Sequence, residues 1–252
     1  MTNKNSREIE LSVELEASPE QVFRAVTDGS ELAKWLAPEA RSTAPEGEKR
    51  ATIWISWGEG MSAEHEIEIY DAPKHVRHPS GKNGETKAPL YADWSIEARD
   101  GGTTTLRLVH SGFSIGADWD GEFAAHTRGW KLMLENLRHY FARHTGEPAA
   151  HVAFMAMLKS PREPIWKSLL DRLGLSGAPK VGDPFRLTNL SGVVDHVTGT
   201  NALGLVVREY DDALLRFTLE GNTFVYGYAI SYGALRERVN ELVEAGKSAV
   251  PE

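Results

Sequence analysis

The segment from Asp118 to His144 holds a helical period without a break, and it constrains everything else this chain can become. Phe123, Thr127, Trp130, Leu134, Leu137 and Phe141 recur at intervals of four, three, four, three and four residues, which places them on one face of an α-helix. His126, Met133 and Tyr140 widen that stripe. Glu122, Lys131, Glu135 and Arg138 occupy the opposite face, with Lys131 and Glu135 spaced to pair at i,i+4. Such a helix reaches about 35 Å. Covering its six stripe residues contributes about 10 kcal/mol of gross burial before ordering entropy is subtracted. The stripe therefore needs a broad apolar cover.

Composition limits what that cover is. The 252 residues, 41% hydrophobic and 25% charged, suit one large or two small globular domains. No apolar run approaches about 20 residues, and Met1 to Glu10 is polar, so the expectation is a cytoplasmic protein without a membrane span. The absence of cysteine excludes disulfides, thiolate catalysis and cysteine-bound zinc. A formal net charge of -8, with no clustered Lys and Arg, argues against nucleic acid as a partner.

The chain opens with Ile9, Leu11, Val13 and Leu15 alternating with polar residues, the pattern of a half-buried strand. Ser18, Pro19, Glu20 and Gln21 then supply a capping serine, a proline at the first helical position and a glutamine three residues after the cap. That helix breaks near Asp28 and Gly29. A second short one carries Leu32, Trp35 and Leu36 and stops at Pro38. From Ala51 to Val109 the period becomes two. Ile53, Ile55 and Trp57 fall on one face, as do His65, Ile67 and Ile69, leaving Glu64, Glu66 and Glu68 outward. Trp94 and Ile96 share a face, Asp100-Gly101-Gly102 reads as a hairpin turn, and Leu106, Leu108 and His110 share a face beyond it. An antiparallel meander follows from this order. Lys74 to Pro89, polar and rich in Gly, Pro and Lys, reads as a mobile loop between strands.

Strand, two short helices, antiparallel strands and one long helix, with Ser18-Pro19-Glu20-Gln21-Val22-Phe23, Leu106-Arg107-Leu108-Val109-His110-Ser111-Gly112-Phe113 and Gly129-Trp130, resemble a known superfamily. From Glu8 to Thr145 the chain resembles the SRPBCC (START-like, helix-grip) superfamily, in the branch similar to the C-terminal domain of the activator of heat-shock protein 90 ATPase. The resemblance implies an α+β helix-grip fold, in which a curved antiparallel sheet wraps a long C-terminal helix and leaves a cavity beneath it. It says little about activity, because the superfamily holds lipid carriers, hormone receptors and cyclases. Eukaryotic members of the branch add an N-terminal chaperone-binding domain, which Met1 to Arg7 is too short to hold, so chaperone activation is carried by the family name alone.

Beyond His144 the plan recurs. Val152 to Leu158 reads as a strand, and Ser160-Pro161-Arg162-Glu163 repeats the cap pattern of Ser18. After an inserted Pro164, Ile165 to Asp171 parallels Val22 to Asp28 in character. Leu190 to Val197, Ala202 to Glu209, Ala213 to Glu220 and Thr223 to Ser231 read as strands, joined by turns such as Glu220-Gly221-Asn222. A closing helix then carries Leu235, Val239, Leu242 and Val243. The reading is an internal duplication: a domain at 1–146, a linker near Thr145 to Ala150, and a shorter helix-grip-like domain at 151–252. The alternative is one sheet extended within a single domain.

Chemical signatures are sparse. His65 and His110, with Trp57 and Trp94 on the same inferred faces, put polar tips into an apolar interior. The expected ligand-binding set is Ile53, Ile55, Trp57, His65, Trp94, Leu108, His110, Trp130, Met133, Leu134 and Leu137, suited to a small hydrophobic or aromatic molecule. The competing view is that these histidines and tryptophans are packed and satisfied by backbone carbonyls. His65, His110 and His126 have the chemistry of metal ligands but lie on separate elements without diagnostic spacing. Glu64, Glu66 and Glu68 form a solvated strand face, not an acid-base pair. There is no G-x-S-x-G elbow or phosphate loop, Gly58-Glu59-Gly60 is a lone turn, and no cofactor is implied. Three functions remain: a non-enzymatic ligand carrier, a module for a protein partner or self-association, and a cyclase or hydrolase using His110 as general base.

Overall fold

The computed structural model describes residues 6–220 and 224–251 and divides into two compact units, Met1–Ala142 and Arg143–Glu252. Among the described residues no helix is long and apolar enough to cross a membrane.

The first unit begins with β1 (Ser6–Leu15), whose odd positions face inward as the alternation requires. Next comes α1 (Pro19–Thr27). The Ser18 side chain accepts the Gln21 N–H while the Gln21 side chain accepts the Ser18 N–H, so two otherwise orphaned donors are satisfied reciprocally. Asp28 closes this helix and caps the single turn α2 (Gly29–Leu32). Two short hairpins follow in β2 (Glu39–Thr43), β3 (Thr52–Ser56) and β4 (Ser62–Glu66), which form a three-stranded sheet. β5 (Ile69–Asp71), β6 (His75–Lys82), β7 (Pro89–Ala98) and β8 (Thr104–Ser114) join β1 in a five-stranded antiparallel sheet of order β1-β8-β7-β6-β5. The first strand thus pairs with the last, Ile9 opposite His110 and Leu11 opposite Leu108. Glu64, Glu66 and Glu68 are exposed, as their alternation requires.

Helix α3 (Asp120–Arg143) lies against the inner face of this sheet. Its Trp130 ring meets Trp94 edge-on at 5.4 Å, Asn136 donates to the Trp35 carbonyl at 3.0 Å, and the Tyr140 hydroxyl donates to Glu31 at 2.9 Å. The first unit is an α+β helix-grip fold.

Three expectations for this unit need correction. Residues 74–89 are not a loop: β6 spans His75–Lys82, pairing His78 with Ala92, and only the turn around Asn83 separates it from β7. The Gly, Pro and Lys content obscured a period of two in Val76, His78 and Ser80, the Pro79 and Gly81 positions being absorbed where the register shifts between Pro79 and Lys82. The stripe on α3 is also not uniformly covered. Leu132, Leu134, Asn136, Leu137, Tyr140 and Phe141 are buried, whereas Phe123, Thr127 and Trp130 are half-buried. Finally, Glu135 pairs with Arg138 at i,i+3, not with Lys131.

The second unit repeats the order on a smaller scale: β9 (Ala149–Met157), α4 (Arg162–Arg172), then β10 (Pro184–Leu187), β11 (Leu190–Thr198), β12 (Ala202–Val207), β13 (Ala213–Glu220) and β14 (Phe224–Tyr232), and α5 (Val239–Ala249). Its six strands are all antiparallel, in the order β10-β11-β12-β13-β14-β9, so here too the first strand pairs with the last. Leu169, Leu203, Leu205, Leu215, Phe217 and Leu242 pack in one core. This is a shorter helix-grip-like unit. The short β10 was not recognised in the sequence, and the Gly221-Asn222 turn lies outside the described residues. The repeated cap is not used, since α4 starts one residue later with Pro161 at the cap and no side-chain bond there. Leu235 sits in a 3-10 turn, Gly233–Arg238, ahead of α5.

One buried ion pair crosses this second sheet. Arg216 on β13, with no exposed surface, donates two hydrogen bonds to Asp195 on β11, at 2.6 and 2.7 Å. The pair passes over Gly204 on β12, where a Cβ would stand 2.6 Å from Arg216 Nη1 and 2.7 Å from Asp195 Oδ1. Glycine is required there by space. Arg216→Met strands the Asp195 carboxylate and is expected to cost about 3 to 5 kcal/mol, whereas Ser18→Ala, losing one cap, costs about 1 kcal/mol. Urea denaturation of both variants measures the contrast.

Candidate functional site

The candidate site is built on one row of the first sheet. His78 of β6 pairs with Ala92 of β7, Ala92 pairs with His110 of β8, and His110 pairs with Ile9 of β1. Directly paired residues project to the same face, so two imidazoles flank the small Ala92 side chain on the face that α3 covers.

His110 is the hub. The Trp130 indole Nε1–H on α3 donates to His110 Nδ1 at 2.7 Å, and Ser80 Oγ lies 2.8 Å from His110 Nε2. An indole nitrogen is a donor only, so Nδ1 must carry a lone pair. The neutral ring then holds its proton on Nε2 and donates to Ser80 Oγ. Both nitrogens are spent on protein groups. Burial, followed by the nearby His126 and His78, pushes the His110 pKa down to about 3. Burial likewise takes His78 down to about 4, against the opposing bond from its Nδ1 to the Pro79 carbonyl at 2.7 Å. Partial burial lowers His65, whose ring stacks on His78 with centroids 6.4 Å apart. The row is uncharged at neutral pH.

Around it the rings interlock. His110 meets Phe113 at 4.8 Å, His126 at 5.4 Å and Trp130 at 5.7 Å, all edge to face. Trp94 touches Trp35 at 6.3 Å and Trp130 at 5.4 Å, and its Nε1 is buried without a hydrogen-bond partner among the described residues.

The eleven expected site residues separate into two groups. Ile53, Ile55, Trp94, Leu108, His110, Leu134 and Leu137 are buried. Trp57, His65, Trp130 and Met133 are half-buried and keep accessible surface. The polar tip of His110 lies in the interior with both nitrogens bonded to protein groups. The same bonds remove it as a metal ligand beside His65 and His126, and His126 Nδ1 is itself 3.0 Å from the Glu122 carbonyl. Sequence reasoning missed His78 and Ser80, both on β6. The alternation in Val76, His78 and Ser80 was the available signal.

Comparison with known proteins gives the family of the first unit. Residues 16–142, half of the chain, match the family model described as "Activator of Hsp90 ATPase homolog 1-like protein". The chain belongs to this family. No curated protein matches the sequence. Among solved structures, the di-domain ARO/CYC BexL from the BE-7585A biosynthetic pathway is similar over 96% of this chain and 95% of its own, at 14% identity and TM-score 0.48. The Aha1 dimer from Colwellia psychrerythraea is similar over 56% of this chain and 99% of its own, at 21% identity and TM-score 0.46. The di-domain ARO/CYC StfQ from the steffimycin biosynthetic pathway covers 96% and is covered over 95%, at 9% identity and TM-score 0.44.

Two measurements check the hub in this family member. Nitrogen-15 NMR at neutral pH is expected to show His110 with a protonated Nε2 and a bare Nδ1. Because the folded pKa lies below the unfolded value of 6.5, the unfolded chain takes up the proton first. Stability contributed by neutral His110 and His78 is therefore full above about pH 6.5 and falls as the pH drops, toward about 3 for His110 and about 4 for His78, by up to about 1.4 kcal/mol per pH unit for each ring. Urea midpoints that stay flat between pH 6.5 and 4 would contradict this.

Proposed function

We propose that the first unit binds a small apolar or aromatic molecule between its two sheets and the middle of α3, without catalysing a reaction. The observation that carries this is the division among the inward-facing residues: accessible area remains on Trp57, His65, Trp130 and Met133, two indoles, an imidazole and a thioether, while the aliphatic positions are closed. Soft, planar, polarisable surface of this kind favours aromatic ligands. The neutral histidine row removes any electrostatic welcome for an anion. The two units are taken as domains 1–146 and 151–252 that arose by duplication, with the ligand assigned to the first.

A cyclase or hydrolase reading needs a base. His110 is ill suited, since its one lone pair already accepts the Trp130 N–H and its pKa is near 3. No observation favours a chaperone or other protein partner over the ligand reading.

Titration of the full chain with neutral N-phenyl-1-naphthylamine tests the proposal. The expected result is saturable one-to-one binding with quenched tryptophan emission. Trp57→Ala, with an unchanged circular dichroism spectrum, is expected to weaken binding about tenfold. Binding that never saturates, or that is indifferent to Trp57, would end this reading.

A further inference from the structure

The second unit carries a group of side chains that ligand binding in the first does not use. His144, Glu147 and Asp211 each offer one donor atom, and the three atoms lie within 4.8 Å of one another. They come from two separate segments. His144 and Glu147 form one turn, closed by the Glu147 N–H donating to the His144 carbonyl at 3.0 Å, with His144 Nδ1 3.0 Å from Glu147 Oε2. Asp211 ends a 3-10 turn, Arg208–Tyr210, in the left-handed conformation (φ 54°).

Three features set this group apart from an ordinary surface cluster. The nitrogen donor is buried, 3% exposed, and its ring lies flat on Tyr232 with centroids 4.2 Å apart and planes at 7°, so its orientation is fixed. Neither carboxylate has an arginine or lysine partner among the described residues, Arg143 being paired with the adjacent Asp212. Two negative groups therefore converge beside an imidazole with no basic side chain to balance them. Gly233, finally, leaves room: a Cβ there would stand 3.0 Å from Glu147 Oε2 and crowd the carboxylate.

We propose that His144, Glu147 and Asp211 bind one divalent transition-metal ion of the zinc class. An imidazole nitrogen with two carboxylate oxygens selects such an ion over calcium or magnesium, which prefer all-oxygen sites. Ligand atoms about 2 Å from a shared ion sit roughly 3 to 3.5 Å apart. The His144 to Glu147 spacing already meets this, and the exposed Asp211 closes the remaining distance. A metal-bound imidazole is neutral, so the Nδ1 lone pair that takes the ion requires the ring proton on Nε2; the hydrogen bond to Glu147 is given up, and the carboxylate turns to the ion while the ring stays on Tyr232. The ion braces the turn at 144–147 to the segment at 208–212, and water fills its remaining positions.

The test uses the full chain, stripped with chelator and titrated at physiological ionic strength. Cobalt(II) is expected to give visible absorption bands saturating at one ion per chain, zinc to displace it, and excess calcium to leave it bound. Asp211→Asn and Glu147→Gln, isosteric changes at exposed or half-exposed positions, are each expected to weaken zinc binding at least about tenfold. Absence of saturable binding overturns the proposal, as does calcium displacing cobalt. Zinc affinity unchanged in either variant also overturns it, because the ion then sits on other histidines.

Discussion

The hydrogen bond from the Trp130 indole to His110 is the joint between the two layers of the first unit. It fastens the middle of a 24-residue helix to β8, the strand that lies between β1 and β7 in the five-stranded sheet. It exists only while His110 is neutral, because a doubly protonated ring has no lone pair to offer. Burial among Phe113, His126 and Trp130 enforces that neutrality. The packing and the protonation state hence sustain one another, and the Ser80 hydroxyl completes the pairing on the far side of the ring. A buried polar group satisfied at both ends is a specificity device as much as a stabilising one: it accepts one register of helix on sheet and rejects its neighbours.

Much of this architecture could be read from periodicity. The alternation in β1, β7 and β8 named the inward residues, and the capping box at Ser18 placed the first helix to the residue. The failures have physical causes. In β6, Pro79 and Gly81 look like loop residues, yet a register shift beside them lets the strand continue. On α3, the period said which side faces the sheet but not how far along the helix the sheet reaches. The tautomer of His110 was also out of reach, since it depends on Trp130 and Ser80 meeting across three elements. Sequence spacing carries no record of such meetings.

The second unit solves the same topological problem with different chemistry. Its sheet is held by the core around Leu205, Leu215 and Phe217 and, on the Arg216 side, by a charged fork threaded over a glycine. Two ions removed from water gain back their hydration only through close, bidentate geometry, so this arrangement tolerates little displacement. The first unit places an uncharged histidine row on its sheet. Shared topology thus leaves the side-chain chemistry of a sheet face free to diverge.

The unequal covering of α3 has a mechanical consequence. Its later turns are clamped by Asn136 on the Trp35 carbonyl and by Tyr140 on Glu31, while the turns from Phe123 to Trp130 are only half enclosed. The first turns are held at the rim instead, by Arg7 against Asp120 and by Phe123 edge-on to Phe113 at 5.4 Å, contacts that water reaches. Backbone amides near Phe123 should therefore open to solvent far more often than those near Leu137, and breathing of the unit would begin at the amino-terminal tip of this helix while the sheet stays intact.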